Sequence, residues 1–223
     1  MYQLLSYPIR KDMPTWPGNP TVDFTINSAI DKGDVAYTYM IHLFNHYGTH
    51  FDAPRHFNEN GLSISELPLD IFIYNSPLLI DIPKKPGEKV NPADLEQYKD
   101  KIQKCDLLMI RTGFWKTRIT EPEVYEKNGP AISAATAGWL LENFRNMKAI
   151  ALDFVSLASY SDQTDGNLAH QIMLGKFHDH YICIIEDVNM AELPVEGISA
   201  VSAIPLFVEG IDSCPVTMWA ELR

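Results

Sequence analysis

Between positions 46 and 56 the chain reads His46-Tyr-Gly48-Thr49-His50-Phe-Asp52-Ala-Pro54-Arg-His56, three imidazoles and a carboxylate within eleven residues. Imidazole nitrogen and carboxylate oxygen are donors that hold zinc or manganese, and a catalytic ion needs about three protein ligands with one position left open. His46, His50 and Asp52 can supply that trio. His56 is then left for proton transfer, a task suited to imidazole. Because a carboxylate can bridge two ions, Asp52 with the distant His170 and Glu186 would make a second position. The chemistry on offer is hydrolysis, in which a Lewis-acidic ion makes water nucleophilic and polarises a carbonyl. Serine hydrolase chemistry has no G-x-S-x-G elbow to stand on, and no glycine-rich phosphate or dinucleotide loop is present.

These residues need elements to hold them. Val22, Phe24 and Ile26, then Val35, Tyr37, Tyr39, Ile41 and Leu43, alternate with other residues at the strand period, and the second run leads toward His46. His42, beside that strand, reads as structural. A continuous helix through the cluster would put His46 and His50 on one face and turn Asp52 away. The better expectation is a strand end entering a tight, partly helical turn, bent at Gly48 and restrained by Pro54. The segment from Met13 to Pro20 holds three prolines and a glycine, so it is a loop, and Trp16 in it is a candidate wall or lid over a substrate pocket.

Short apolar runs at 78–82, 107–111, 149–153 and 181–185 suit buried strands, the last ending at Glu186. A buried acid there demands a partner or a metal. Asn91 and Pro92 mark the start of a helix carrying Leu95, Tyr98 and Ile102. Ser133 caps another, with Ala137, Leu140, Leu141, Phe144 and Met147 as its core stripe. Residues 121–130 read as a surface excursion, and 156–167 as an exposed or functional loop before His170. Arg111 could face a ligand or pair with an acid. Strands at 200–208 and 216–220, joined by a turn at 210–215, complete the pattern.

The chain has 223 residues, 46% hydrophobic and 21% charged, which suits a soluble globular protein of one large domain. Its formal charge of −11 disfavours nucleic acid and anionic membranes as partners. Three cysteines, Cys105, Cys183 and Cys214, form neither a disulfide framework nor a C-x-x-C pair, which suits a reducing cytoplasm. The opening residues have too short an apolar run for a signal peptide, and no run reaches membrane-spanning length.

The pattern His46-x-Gly48-Thr49-His50-x-Asp52-x-Pro54-x-His56 resembles the signature of the metal-dependent cyclase family, which includes bacterial kynurenine formamidase and isatin hydrolase. Further segments are similar in the same order: Trp16-Pro17-Gly18-Asn19-Pro20, Ile110-Arg111-Thr112-Gly113, Ala151-Leu-Asp153-x-x-Ser156, Ala169-His170-x-x-x-Leu174-Gly175 and Ile184-Ile185-Glu186. The resemblance implies an α/β chain, a single-domain swivelling β/β/α fold over residues 1–223 with a mixed sheet flanked by helices. It also implies a homodimer or higher homo-oligomer, and one or two zinc or manganese ions per chain that serve cleavage of an amide or lactam, with an N-formylkynurenine-like arylformamide as one candidate. By position it assigns His46, His50 and Asp52 as ligands, His56 as acid/base, and His170 and Glu186 as distal ligands. The stretch from His170 to Glu186 is longer than in formamidases, which makes His178 or His180 an alternative to His170. Two rival readings stand beside the hydrolase: a metal-assisted lyase or cyclase acting through an enolate, and a non-catalytic small-ligand-binding protein on the same scaffold.

Overall fold

A computed structural model describes residues 1–223. A short strand β1 (Tyr2–Leu4) is followed by the proline-rich loop and a two-stranded antiparallel ribbon, β2 (Asp23–Ser28) with β3 (Thr38–His42). Part of the histidine cluster is itself a strand, β4 (His50–Asp52), followed by one 3-10 turn, Pro54–His56. Next come β5 (Ile73–Tyr74), β6 (Pro77–Asp81) and β7 (Lys89–Val90), then α1 (Pro92–Leu95) and α2 (Lys99–Ile102). β8 (Leu107–Arg111) leads into α3 (Trp115–Thr120) and α4 (Pro122–Lys127), and β9 (Ala131–Ile132) into α5 (Ala134–Asn143). β10 (Ala149–Leu152) precedes α6 (Gln163–Met173), and β11 (Cys183–Glu186), β12 (Ile198–Pro205) and β13 (Ser213–Leu222) follow.

Nine strands make one mixed sheet in the order β5-β12-β13-β4-β11-β10-β8-β6, with β1 added to β13. β6, β8, β10 and β11 run parallel; β4, β13, β12 and β5 continue antiparallel. The apolar runs are unbroken because both faces are covered. Leu108, Ile110, Ile150, Leu152 and Ile184 pack toward the helices, while Leu107, Met109, Ala149, Ala151 and Ile185 belong to a second core with strand residues from β12 and β13. The sheet curls until β6 and β12 meet, so it is nearly closed. The change from parallel to antiparallel pairing falls between β11 and β4. In open α/β sheets that kind of switch leaves a crevice at the strand ends where ligands bind.

Several expectations held. Ser133 caps α5 by accepting the Thr136 amide at 3.1 Å, Pro92 opens α1 behind the Asn91 cap, and Arg111 pairs with Asp81 at 2.6 Å rather than facing a cavity. Others are corrected. The alternating runs are strands only over Asp23–Ser28 and Thr38–His42, so Val35, Tyr37 and Leu43 lie outside them, and Phe24, Ile26, Tyr39 and Ile41 are exposed on the ribbon. The surface excursion at 121–130 contains α4, whose Tyr125 is fully buried under a helix that starts at Pro122. Of the loop at 156–167, residues 156–159 are buried and α6 begins at Gln163. Phe144 and Met147 are buried as expected but lie beyond the end of α5.

Candidate metal centre

His50 and Asp52 sit on the strand β4, His46 in the turn before it and His56 in the 3-10 turn after it, so the strand and the partly helical turn are both present, with the strand inside the cluster rather than ending before it. Gly48 takes φ +66, a left-handed conformation that turns the chain from His46 into β4, and a Cβ there would meet Met13 Cε at 3.1 Å. With a strand's period of two, His50 and Asp52 share a face. Antiparallel pairing sets Glu186 of β11 directly opposite His50, and Ser213 of β13 opposite Asp52. Residues more than 130 positions apart in sequence thus meet through register alone.

All six residues expected at the centre are brought to one place. His46 Nδ1 lies 3.2 Å from Asp52 Oδ1, and His50 Nε2 lies 3.6 Å from the same oxygen and 3.3 Å from Glu186 Oε2. His170 Nε2, from within α6, is 3.4 Å from Glu186 Oε1. Two trios have donor atoms within 4.8 Å of one another: His46, Asp52 and His56, and His50, Asp52 and Glu186. Asp52 belongs to both. His56 therefore stands closer to the ligand-type atoms than a detached proton carrier would, whereas His170 reaches the cluster through Glu186.

Two imidazoles are locked in matching orientations. His50 Nδ1 is 2.7 Å from the Gly48 carbonyl and His170 Nδ1 is 2.9 Å from the Gly166 carbonyl. A carbonyl only accepts, so each Nδ1 carries hydrogen and each Nε2 faces the carboxylates, the arrangement by which neighbouring groups orient metal-binding histidines. His50 Nε2 and both oxygens of Asp52 are buried without any hydrogen-bond partner. Leaving such groups unsatisfied costs about 1–3 kcal/mol each, more when charged. A cation seated among them would satisfy all three, so the donor set fits a divalent ion.

The electrostatics agree. Burial opposes charge on His46, yet Asp52 and Asp212 outweigh it and push its pKa up to about 10. His50 and His170 are raised in the same way, burial being overcome by Asp52 and Glu186. Burial works against the Glu186 carboxylate, but the His170 and His50 imidazoles hold it well below its usual range. The carboxylates are anionic and draw positive charge to themselves.

Three contributors were not foreseen. Asp212 Oδ2 lies 2.7 Å from His56 Nδ1 and 3.1 Å from His46 Nε2, and Asn45 donates to its other oxygen at 2.8 Å. Asp212 sits in the stretch read only as a turn, and nothing in its local spacing marks it. Asp187, next to Glu186, has φ +52 and is clamped by Arg118 through two 2.8 Å bonds and by Tyr125 Oη at 2.6 Å. This buried clamp holds a backbone conformation that costs of order 1–3 kcal/mol outside glycine and so fixes where Glu186 points. Ser156 Oγ and the Leu157 amide donate to Glu186 Oε1 at 3.1 and 2.6 Å. His178, by contrast, lines a shallow depression with Leu141, Glu142 and Arg145, and His180 is likewise influenced by Arg145, so neither takes the place of His170.

A cavity of about 490 Å³ opens onto the cluster. Trp16 lines it, half-buried, its ring edge-on to Tyr160 at 5.5 Å, and Phe57, stacked on His170 at 4.5 Å, forms another wall. The volume is that of a small-molecule site.

A mixed sheet with a histidine–carboxylate cluster at its parallel-to-antiparallel switch, opening into a small-molecule cavity, defines an α/β protein of candidate metal-centre type. The chain belongs to the Cyclase family, whose sequence profile matches residues 4–159. It is 28% identical over 213 residues to a kynurenine formamidase of Bacillus thuringiensis, covering 95% of this chain and 93% of that one. It is also 37% identical over 110 residues to an uncharacterised protein of Haemophilus influenzae, covering 49% of this chain and 78% of that one. Isatin hydrolase A of Labrenzia aggregata shares the fold, with a TM-score of 0.83 at 20% identity over 99% of this chain and 93% of that structure.

Proposed function

We propose that this chain is a metal-dependent hydrolase that cleaves the C–N bond of an amide or lactam, with an N-formylkynurenine-like arylformamide or a cyclic amide as substrate. The observation that carries the reading is the buried trio of unpartnered atoms, His50 Nε2 and the two Asp52 oxygens, at the end of a cavity of small-molecule size. Its relatives support the choice of bond. His46, His50 and Asp52, with Glu186 opposite and His170 behind it, would hold one or two ions, and zinc and manganese both suit these donors. A divalent ion there supplies Lewis acidity, which polarises a carbonyl and acidifies water.

The remaining work belongs to the chain. Asp212 fixes His56 through Nδ1 and so leaves Nε2 to exchange protons with substrate and water. As the water oxygen bonds to the carbonyl carbon and the C–N bond breaks, His56 accepts the water's proton and delivers it to the departing nitrogen, and Asp212 stabilises the imidazolium between the two transfers. Trp16 and Phe57 wall the aromatic part of the substrate and exclude water. Metal analysis before and after chelation, with assays on formamides, lactams and lactones in labelled water, tests the reading. Turnover that stops with metal removal and returns with zinc or manganese, with label in the product, is expected. Turnover unaffected by complete metal removal would sink it, and unlabelled product would favour the enolate route.

The same reading covers the molecule's setting. One domain across residues 1–223 is supported by β1 pairing with β13, strands from opposite ends of the chain. The reducing cytoplasm suits three buried, unpaired cysteines, and no helix is long and apolar enough to cross a membrane. A second copy of this chain is the partner that suits the exposed apolar ribbon, giving a homodimer or a higher homo-oligomer.

A further inference from the structure

The far end of the cavity differs in chemistry from the metal-type cluster. The mouth carries side-chain amides: Gln163 and Asn167 stand one turn apart on α6, on the face that continues to His170, and Asn19 comes from the loop that holds Trp16. Among these carboxamides the only side-chain hydrogen bond is a long one from Gln163 Nε2 to the Tyr160 carbonyl at 3.4 Å. They offer both donors and acceptors without net charge. The ionisable groups lining the cavity are the imidazoles and the carboxylates of Glu186, Asp187 and Asp212; none of its twenty lining residues is a lysine or arginine.

The neighbouring cations are spent elsewhere. Arg118 is buried and gives Nε and Nη2 to Asp187. Lys89, on β7, is held by Asp162 and Asp165 at the start of α6, at 2.7 and 2.8 Å. Those two acids also occupy the positive end of the α6 dipole, which would otherwise attract an anion. Away from the metal-type cluster, a substrate carboxylate at the mouth would find no lysine or arginine to pair with, in a chain of net charge −11.

We propose that, within that substrate class, this pocket selects uncharged aryl amides or lactams over analogues that carry a carboxylate, N-formylkynurenine itself included, with Asn19, Gln163 and Asn167 reading the neutral polar end. The proposal rests on the hydrolase reading for its chemistry but on the cavity wall for its selectivity. A matched pair tests it: formanilide and 2-formamidobenzoate, which differ by one carboxylate, assayed with metal-loaded full-length protein. The expected kcat/KM favours the neutral compound by at least tenfold, equivalent to about 1.4 kcal/mol. Gln163→Lys should narrow or invert that ratio by supplying the missing cation. Equal or better turnover of the carboxylate compound by the unaltered protein overturns the proposal.

If neither compound is turned over, the hydrolase reading fails separately, and binding decides the selectivity. The quenching of Trp16 fluorescence by each compound, with Trp16→Phe as the control, is expected to show tighter binding of formanilide in metal-loaded and metal-free protein alike. Tighter or equal binding of 2-formamidobenzoate refutes the inference whatever the fate of the chemistry.

Discussion

At the scale of single residues, the centre divides into groups that hold and a group that moves a proton. Asp212 separates the two, because it touches His46 on one side and His56 on the other. Asp212→Asn keeps the shape but removes the charge that steadies the His56 imidazolium. It should lower kcat about a hundredfold, within the range of general acid–base effects, and leave KM nearly unchanged; steady-state kinetics beside elemental analysis would check that the ions remain. His56→Ala should lose a comparable or larger factor, and its metal content would report whether His56 also ligates. Metal uptake has its own signature. Metal-free His46, with a pKa of about 10, is protonated at pH 7 and must shed that proton to become a ligand. Affinity should therefore fall as pH falls, by up to about tenfold per pH unit for each proton released. Calorimetry in two buffers of different ionisation enthalpy would measure the release, and an uptake of zinc without protons would contradict the ligand assignment of His46.

Elements decide how accurately those residues meet. α6 lies against the segment after β10 with no room for a side chain at Gly166, where an added Cβ would come within 2.8 Å of the Ala158 Cα. The same glycine offers its carbonyl to His170 Nδ1. Gly166→Val should therefore destabilise the protein by about 1–3 kcal/mol and pull His170 from Glu186. Thermal unfolding and metal stoichiometry together would register both effects, and a variant with the original midpoint and full metal content would refute the packing argument. Such contacts also mark how far sequence reasoning reaches. His46, His50, Asp52 and His56 were legible because their spacing is local, and the apolar strands because burial on both faces leaves continuous runs. Asp212 and the Arg118–Asp187 clamp were not, since each works through a partner from 62 to 166 positions away, on a turn or a helix that only the packing of the whole chain brings near. The strand character of β4 was hidden by its three-residue length, too short for a period to show.

For the whole molecule, the ribbon of β2 and β3 is the feature that one copy leaves unexplained. Phe24 pairs with Ile41 and Ile26 with Tyr39 across it, so these four share one face, and Met40 lies opposite Thr25 on the other. All five are exposed, as are Tyr37 and Ile30, and Val35 near the tip is 99% exposed. At roughly half exposure, eight such side chains leave on the order of 600 Å² of apolar surface, at the upper end of what monomers show. A standard interface takes about 800 Å² from each partner. The ribbon thus supplies most of one half-interface, and a two-fold pairing of identical chains lets the same patch be covered twice. Light scattering on the eluted peak should give twice 25.3 kDa or a higher even multiple. Replacing Ile26 and Tyr39 together by Asp places charge on the shared face while leaving the buried cores untouched. That variant should elute as a monomer with unchanged circular dichroism, because neither side chain contributes to either core. A wild-type chain that stays monomeric at micromolar concentration would show that the ribbon is covered by something other than its own copy.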